Sequence, residues 1–163
     1  MPYRNAFIAV IIAGVILAAV IIATQLIVLN DAGSNTIAYE VGAAESVRAV
    51  VDLPISVLTI EGGATRLVEG EINFGLPAFE LSRGYNAIDG EGALVIAQPP
   101  TLNGQNNDLA DFVSRLAFNN ETPLSLSLTQ ERGSVTMDAS ALSLSALDTD
   151  LGDGADSITL NGT

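Results

Sequence analysis

Four aspartates near the C-terminus form the densest group of potentially ligating side chains in this 163-residue chain. Calcium binds oxygen ligands, usually six to eight of them, and takes them from carboxylates, backbone carbonyls and water. A calcium site in this segment would therefore need carbonyl and water oxygens besides the carboxylates. The four candidate ligands are Asp148, Asp150, Asp153 and Asp156.

The local sequence supports two interpretations of this group. Residues 152–158 (GDGADSI) match the Gly-x-Gly-x-Asp-x-apolar part of a calcium-binding β-roll repeat. Leu151 replaces the first glycine of that repeat, and no tandem copy supplies facing ligands. The same residues also suit a metal-free Gly-Asp turn between two strands. We keep the calcium site as a candidate and predict no other cofactor.

The residue types that are missing exclude most enzyme mechanisms. The chain has no His, Cys or Lys, which excludes the usual zinc sites, Ser-His and Cys-His nucleophile pairs, and Schiff-base chemistry. The acid pairs Glu69/Glu71 and Asp89/Glu91 could suggest a glycosidase. Their i, i+2 spacing places each pair on one side of a strand, normally facing solvent, and few aromatic residues are available to bind sugars. We predict no catalytic residue and no enzymatic activity.

The N-terminal region contains one long apolar stretch, Phe7–Leu29, which carries no charged residue. As a helix it would be about 34 Å long, enough to cross a hydrocarbon core of about 30 Å. We predict a retained transmembrane anchor. A cleaved signal peptide is the alternative, with a poor cleavage site at residues 32–34 (AGS).

The distribution of charge predicts the orientation of that anchor. Arg4 precedes the apolar stretch, whereas all 19 acidic residues follow it. By the positive-inside rule, residues 1–6 should be cytoplasmic and the domain after the anchor extracytoplasmic, giving a single-pass protein of the cell membrane. The net charge of −13 repels phosphate backbones, so we expect no nucleic-acid partner. Small residues such as Ala9 and Ala13 would allow homo-oligomers to form through the helix.

The remaining chain divides into a short tether and one β-rich domain. Residues 30–46 are small and polar, with a predicted strand at Ile37–Val41, and we place the domain at residues 47–163. Its clearest strand begins at Leu124, where leucines alternate with Ser and Thr. Leu109, Phe112, Val113 and Leu116 have the spacing of a short helix but also suit a strand.

The spacing of the short strands predicts the architecture. Leu126, Leu144 and Leu160 recur at intervals of 18 and 16 residues, with Gly and Asp between them. Such intervals are typical of coils that stack and cover one another's apolar faces. We therefore predict an all-β, short-stranded β-solenoid preceded by one transmembrane helix. A β-sandwich remains the alternative.

Several segments carry a resemblance to a known family. They are residues 51–63 (VDLPISVLTIEGG), 67–72 (LVEGEI), 124–128 (LSLSL) and 151–160 (LGDGADSITL). Over roughly residues 47–163 the chain resembles the toast-rack and "putative-adhesin" β-solenoid domains of bacterial cell-envelope proteins, including Lia-type regulators. The resemblance implies a right-handed stack of short strands, a non-enzymatic role at the envelope, and no catalytic residues.

These observations favour a membrane-anchored extracytoplasmic domain with a non-catalytic binding, structural or envelope-regulatory role. We expect a protein partner at the envelope, or homo-oligomers formed through the helix or an open strand edge. The alternative is a pilin-like subunit whose apolar N-terminal helix lies in a filament core.

Overall fold

The computed structural model describes residues 34–73, 81–98, 109 and 112–160, and in these ranges the chain forms strands, turns and loops without an α-helix. The ten strands belong to one sheet. They are β1 (Ser34–Tyr39), β2 (Ser46–Asp52), β3 (Ile55–Gly62), β4 (Val68–Asn73), β5 (Ser82–Ile88), β6 (Glu91–Ala97), β7 (Val113–Phe118), β8 (Leu124–Asp138), β9 (Leu144–Gly154) and β10 (Ser157–Thr159). The fold class is therefore all-β, as predicted.

Three bent segments lie side by side in the sheet. The first is β2 followed by β3, the second is the single long strand β8, and the third is β9 followed by β10. The first half of β8 pairs in parallel with β2 on one side and with β9 on the other. Its second half pairs in parallel with β3 and with β10. Each segment thus contributes to both halves of the sheet.

Further strands extend the sheet beyond the first bent segment. β6 pairs in parallel with β2, and β5 returns antiparallel beside β6. On the other half, β7 pairs in parallel with β3, and the antiparallel strands β4 and β1 follow. Buried side chains from both halves form one hydrophobic cluster. The sheet therefore wraps around a single core in a barrel-like manner.

The alternation of side chains explains which residues enter that core. In β8, Leu124, Leu126 and Leu128 are at most 2% exposed, while the intervening Ser and Thr face outwards. This alternation is the pattern of a strand with one buried face. Two of the bent segments change direction at a proline or a glycine. Pro54 separates β2 from β3, and Gly133 has a φ of 129° in the middle of β8.

Two of the segments considered from the sequence are strands of the sheet. β1 lies within the predicted tether, residues 30–46, and its Ile37 is 1% exposed in the core. The sheet therefore begins before the predicted domain boundary at Val47. The segment with helical spacing is strand β7, because Ser114, Leu116 and Phe118 are buried at intervals of two residues.

The predicted repeat of 18 and 16 residues is wrong in register. Leu126 pairs with Leu147 rather than with Leu144, and Leu144 pairs with Leu124. Leu160 lies after β10 and is 59% exposed. The leucines of β8 and β9 recur irregularly along the chain because the register shifts between Leu124 and Ser125.

The predicted anchor, Phe7–Leu29, lies outside the described residues. In the ranges given above, the structure contains no helix with the length and apolar character needed to cross a membrane.

Candidate interaction edge

The end of the sheet formed by β1 and β5 is held closed by side-chain contacts. Arg83 Nη1 of β5 donates a hydrogen bond to the carbonyl oxygen of Thr36 in β1. Tyr85 Oη donates to the carbonyl oxygen of Val41 at 2.7 Å. The rings of Tyr39 and Tyr85 are tilted against each other, with centroids 6.1 Å apart. These contacts join the two terminal strands across the end of the core.

The opposite end, formed by β9 and β10, is built differently. Among the described strands, both pair with β8 alone, so each has one free edge. Leu144, Leu147 and Leu151 of β9 face the core but are only partly buried. The leucines beneath them in β8 are almost completely buried. The last row of apolar side chains is therefore incompletely covered.

The predicted calcium ligands lie along this end of the molecule. Asp148 and Asp150 are exposed on the outer face of β9, in register with Ser127 and Thr129 of β8. Asp153 is also exposed and is in register with Arg132. A shallow depression of about 320 Å³ lies beside them. It is lined by Thr129, Gln130, Glu131, Asp150, Gly152 and Asp153.

Asp156, the fourth candidate ligand, has a structural role. Its Oδ1 accepts a hydrogen bond from the backbone N–H of Val135 at 2.8 Å, which ties the bend between β9 and β10 to β8. Within the described ranges, no three His, Cys, Asp or Glu side chains are grouped closely enough to hold a metal ion. The calcium site therefore stays a prediction.

A buried polar contact at the bend of β8 was not predicted from the sequence. Gln130 Nε2 donates to the carbonyl oxygen of Ser56 at 2.6 Å and lies 2.8 Å from Ser56 Oγ. Both residues are at most 4% exposed. Gln130 continues the i, i+2 series of buried leucines that starts at Leu124, and this periodicity is the signal that would have placed it inside.

One carboxylate on the outer face is held in an unfavourable environment. Partial burial, followed by the negative charge of Glu131, raises the pKa of Asp52 above its ordinary value. Asp52 is in register with Thr129 of β8, which is in turn in register with Asp150. The negative charges therefore extend across neighbouring strands towards the β9 edge.

Glu69, the first member of the acid pair Glu69/Glu71, does not have the raised pKa that a general acid needs. Thr65 Oγ1 donates to Glu69 Oε1 at 2.7 Å, and the backbone N–H of Arg66 donates to the same oxygen at 3.1 Å. These hydrogen bonds lower the pKa of Glu69. Glu69 therefore acts as a turn-stabilising acceptor at the start of β4.

Two kinds of comparison relate the chain to known proteins. Residues 29–163 match the family model described as the "N-terminal domain of toast_rack, DUF2154". No curated protein matches the sequence.

Two crystal structures are similar to this chain. A "putative cell adhesion protein" from Clostridium sporogenes ATCC 15579 has a TM-score of 0.67 and 22% identity, over 76% of this chain and 59% of that one. A "putative adhesin" from Bacteroides fragilis NCTC 9343 has a TM-score of 0.31 and 12% identity, over 82% of this chain and 64% of that one. The chain thus spans less than two thirds of either protein. The first similarity establishes a shared fold.

The family match covers most of the chain and includes all ten strands of the sheet. The chain therefore belongs to the toast-rack N-terminal domain family.

Proposed function

We propose that the chain is a membrane-anchored, extracytoplasmic β-domain with a non-catalytic binding role at the cell envelope, structural or regulatory in effect. The family match carries this proposal, because it begins at residue 29, where the apolar stretch Phe7–Leu29 ends. An apolar stretch of this length followed directly by a β-domain is the arrangement of a single-pass anchored protein. The C. sporogenes protein of the same fold is described as a "putative cell adhesion protein", which favours binding over catalysis.

The order of the strands supports the finer interpretation of the fold as a β-solenoid. The three bent segments stack in parallel, and each covers the apolar side chains of its neighbour. Such a stack presents strand edges and broad outer faces, which suit the recognition of another protein. We regard the antiparallel strands β1, β4 and β5 as additions to this stack.

The chain is well suited to a test of its orientation, because it contains no native cysteine. The variant Ala43→Cys places one thiol at an exposed position between β1 and β2. The matched variant Asn5→Cys places one in the predicted cytoplasmic segment. We expect a membrane-impermeant maleimide to label Ala43→Cys in intact cells of the native host, and Asn5→Cys only after lysis.

The opposite labelling pattern would overturn the orientation, and recovery of the full chain in the soluble fraction would overturn the anchor. Electron microscopy of the purified full chain tests the pilin-like alternative. Filaments with the apolar helix at their centre would replace the proposed role, whereas dispersed particles would support it.

A further inference from the structure

The two ends of the sheet differ in how their outermost strands are covered. At the closed end, Arg83 and Tyr85 of β5 donate hydrogen bonds to backbone carbonyls of β1 and the loop after it, and the rings of Tyr39 and Tyr85 are in contact. At the other end, β9 is an 11-residue strand that pairs on one side only among the described strands. A long strand with a free edge offers backbone N–H and C=O groups to an added strand. The β9 edge is therefore the end of the sheet that is open to a partner.

The side chains at this edge indicate which residue types an added strand should have on its inner, core-facing side. Leu144, Leu147, Leu151 and Ile158 face the core and are partly exposed, whereas the corresponding row in β8 is buried. An added strand with aliphatic side chains at alternate positions would cover this row. Burial of such apolar surface is favourable, because it removes the side chains from water. It is the main favourable contribution that we expect here.

The outer face of β9 indicates which residue types an added strand should have on its own outer face. Asp148 and Asp150 project outwards at i, i+2, the spacing of alternate residues on one face of a strand. Residues at alternate positions of an added strand would lie opposite them, where opposite charges are favourable and like charges unfavourable. The β9 strand of a second copy contains no basic residue and would bring only further Asp side chains to this edge. Charge complementarity therefore favours a basic partner over self-association.

We propose that the β9 edge binds an extended segment of another protein, in which aliphatic and basic residues alternate, as an added strand. This rests on the proposed binding function and names the chemistry of its partner. The aliphatic side chains pack on the leucines of β9, and the Lys or Arg side chains lie beside Asp148 and Asp150. The backbone of the segment pairs with the free edge.

The test uses the full chain in nanodiscs of phosphatidylcholine, a neutral lipid that does not attract basic peptides. The probe is a fluorescent ten-residue peptide of alternating Val and Lys, and the matched control peptide alternates Val and Glu. We expect fluorescence anisotropy to show saturable binding of the Val-Lys peptide only. Raising the salt concentration should weaken that binding.

Three variants, one of them a control, locate the binding site on the protein. Asp148→Asn/Asp150→Asn should lower the affinity between about 3-fold and about 30-fold, because each pair contributes a modest amount at an exposed site. Glu45→Gln/Glu91→Gln removes the same number of charges near the β5–β6 turn, beyond β2 and β8 from β9, and should leave the affinity unchanged. Thr149→Lys places a charge on the inner side of β9, a natural way of protecting a strand edge, and should abolish binding.

The results separate this inference from the proposed function. Absence of Val-Lys binding, or equal losses in both double variants, would overturn the basic segment while leaving the orientation test unaffected. Self-association of the full chain that Thr149→Lys prevents would also overturn it, because the occupant of the edge would then be a second copy. Circular dichroism of each variant confirms that the sheet is intact.

Discussion

At the scale of single residues, Gly133 determines whether β8 can bend. Its φ of 129° strains any other residue, and a Cβ at this position would overlap the carbonyl oxygen of Ser56. Ser56 is also the acceptor for Gln130. A substitution at Gly133 would therefore disturb both the bend and the buried hydrogen bond beside it.

We predict that Gly133→Ala destabilises the domain by about 2–4 kcal/mol, because backbone strain and overpacking add. Gly63→Ala is the control. Gly63 has a φ of 103° but no atom within 4 Å of an added Cβ. Gly63→Ala should therefore lose stability through backbone strain alone. Thermal unfolding of the full chain in mild detergent, followed by circular dichroism, measures both. Equal losses would show that the contact with Ser56 is unimportant.

Asp156 provides a second test at this scale. Asp156→Ala removes the acceptor for the N–H of Val135 and should cost about 1–2 kcal/mol. Asp153→Ala, a neighbouring exposed aspartate, is the control and should change stability much less. A loss at Asp153 as large as that at Asp156 in the same unfolding assay would contradict the structural role of Asp156.

The raised pKa of Asp52 predicts a pH-dependent effect. A carboxyl group whose pKa is higher in the folded state binds more protons when folded, so its contribution to stability falls as pH rises through that range. Asp52→Asn should therefore stabilise the domain at pH 7, and the difference from the native chain should disappear below the ordinary Asp pKa of about 4. Glu131→Gln should give a smaller stabilisation, because Glu131 is the lesser of the two causes. Melting temperatures across pH 3–7 test both variants, and a destabilised Asp52→Asn at pH 7 would contradict the prediction.

At the scale of elements, β9 should be the least protected long strand. It pairs with β8 alone among the described strands, and its leucines are partly exposed. We predict that its amides exchange with solvent faster than those of β2 or the first half of β8, because edge strands open locally at lower free energy. Hydrogen–deuterium exchange with mass spectrometry measures this.

A substitution on β9 sharpens that prediction. Gly152→Ala would bring a Cβ against the carbonyl oxygen of Glu131 and should raise exchange across β9 while leaving β2 unchanged. Ser145→Ala, at an exposed position on the same strand, should have no effect. Faster exchange throughout the molecule in Gly152→Ala would instead show that β9 and the rest of the sheet unfold together.

The sequence predicts those elements in which side-chain alternation alone determines the structure. The leucines of β8 alternate regularly, so both the strand and its buried face were predicted correctly. The secondary structure of β7 was ambiguous because Phe112, Val113 and Leu116 have the spacing of a helix. The segment is a strand because it pairs with β3 and β4. The two-residue turn Asp89–Gly90 joins β5 to β6. Its Asp-Gly sequence is a strong hairpin signal, because both residues adopt positive φ.

The candidate edge was only partly predictable. The leucines of β9 and the nearby aspartates stand out in the sequence, and an open strand edge was expected. The register between β8 and β9 was not predictable, because a shift between Leu124 and Ser125 breaks the repeat. Which aspartates face outwards, and which one binds the backbone, depends on that register and on the bend at Gly154.

At the scale of the whole molecule, the net charge of −13 should dominate the response to ions. Mutual repulsion destabilises the compact state, and salt shortens its range from about 30 Å at 0.01 M to about 8 Å at 0.15 M. We predict that the melting temperature of the full chain rises with ionic strength, and that Ca²⁺ and Mg²⁺ at equal ionic strength have the same effect.

The same titration decides the candidate calcium site. A saturable stabilisation specific to Ca²⁺ that is lost in Asp148→Asn/Asp150→Asn would establish a calcium site on β9. It would contradict the expected equality of the two cations. Glu45→Gln/Glu91→Gln serves as the charge-matched control.

The central position of β8 also has a consequence for how the chain folds during synthesis. β8 is the shared neighbour of β2 and β3, yet it is translated after all of the strands from β1 to β7. Val47 in β2 can pair with Leu124 only after Leu124 has been synthesised. Pairings between residues so far apart in the chain form slowly. Until β8 has emerged, β2 and β3 each lack the strand that pairs with them in the folded sheet. The emerging chain is then most exposed to aggregation or to capture by a chaperone.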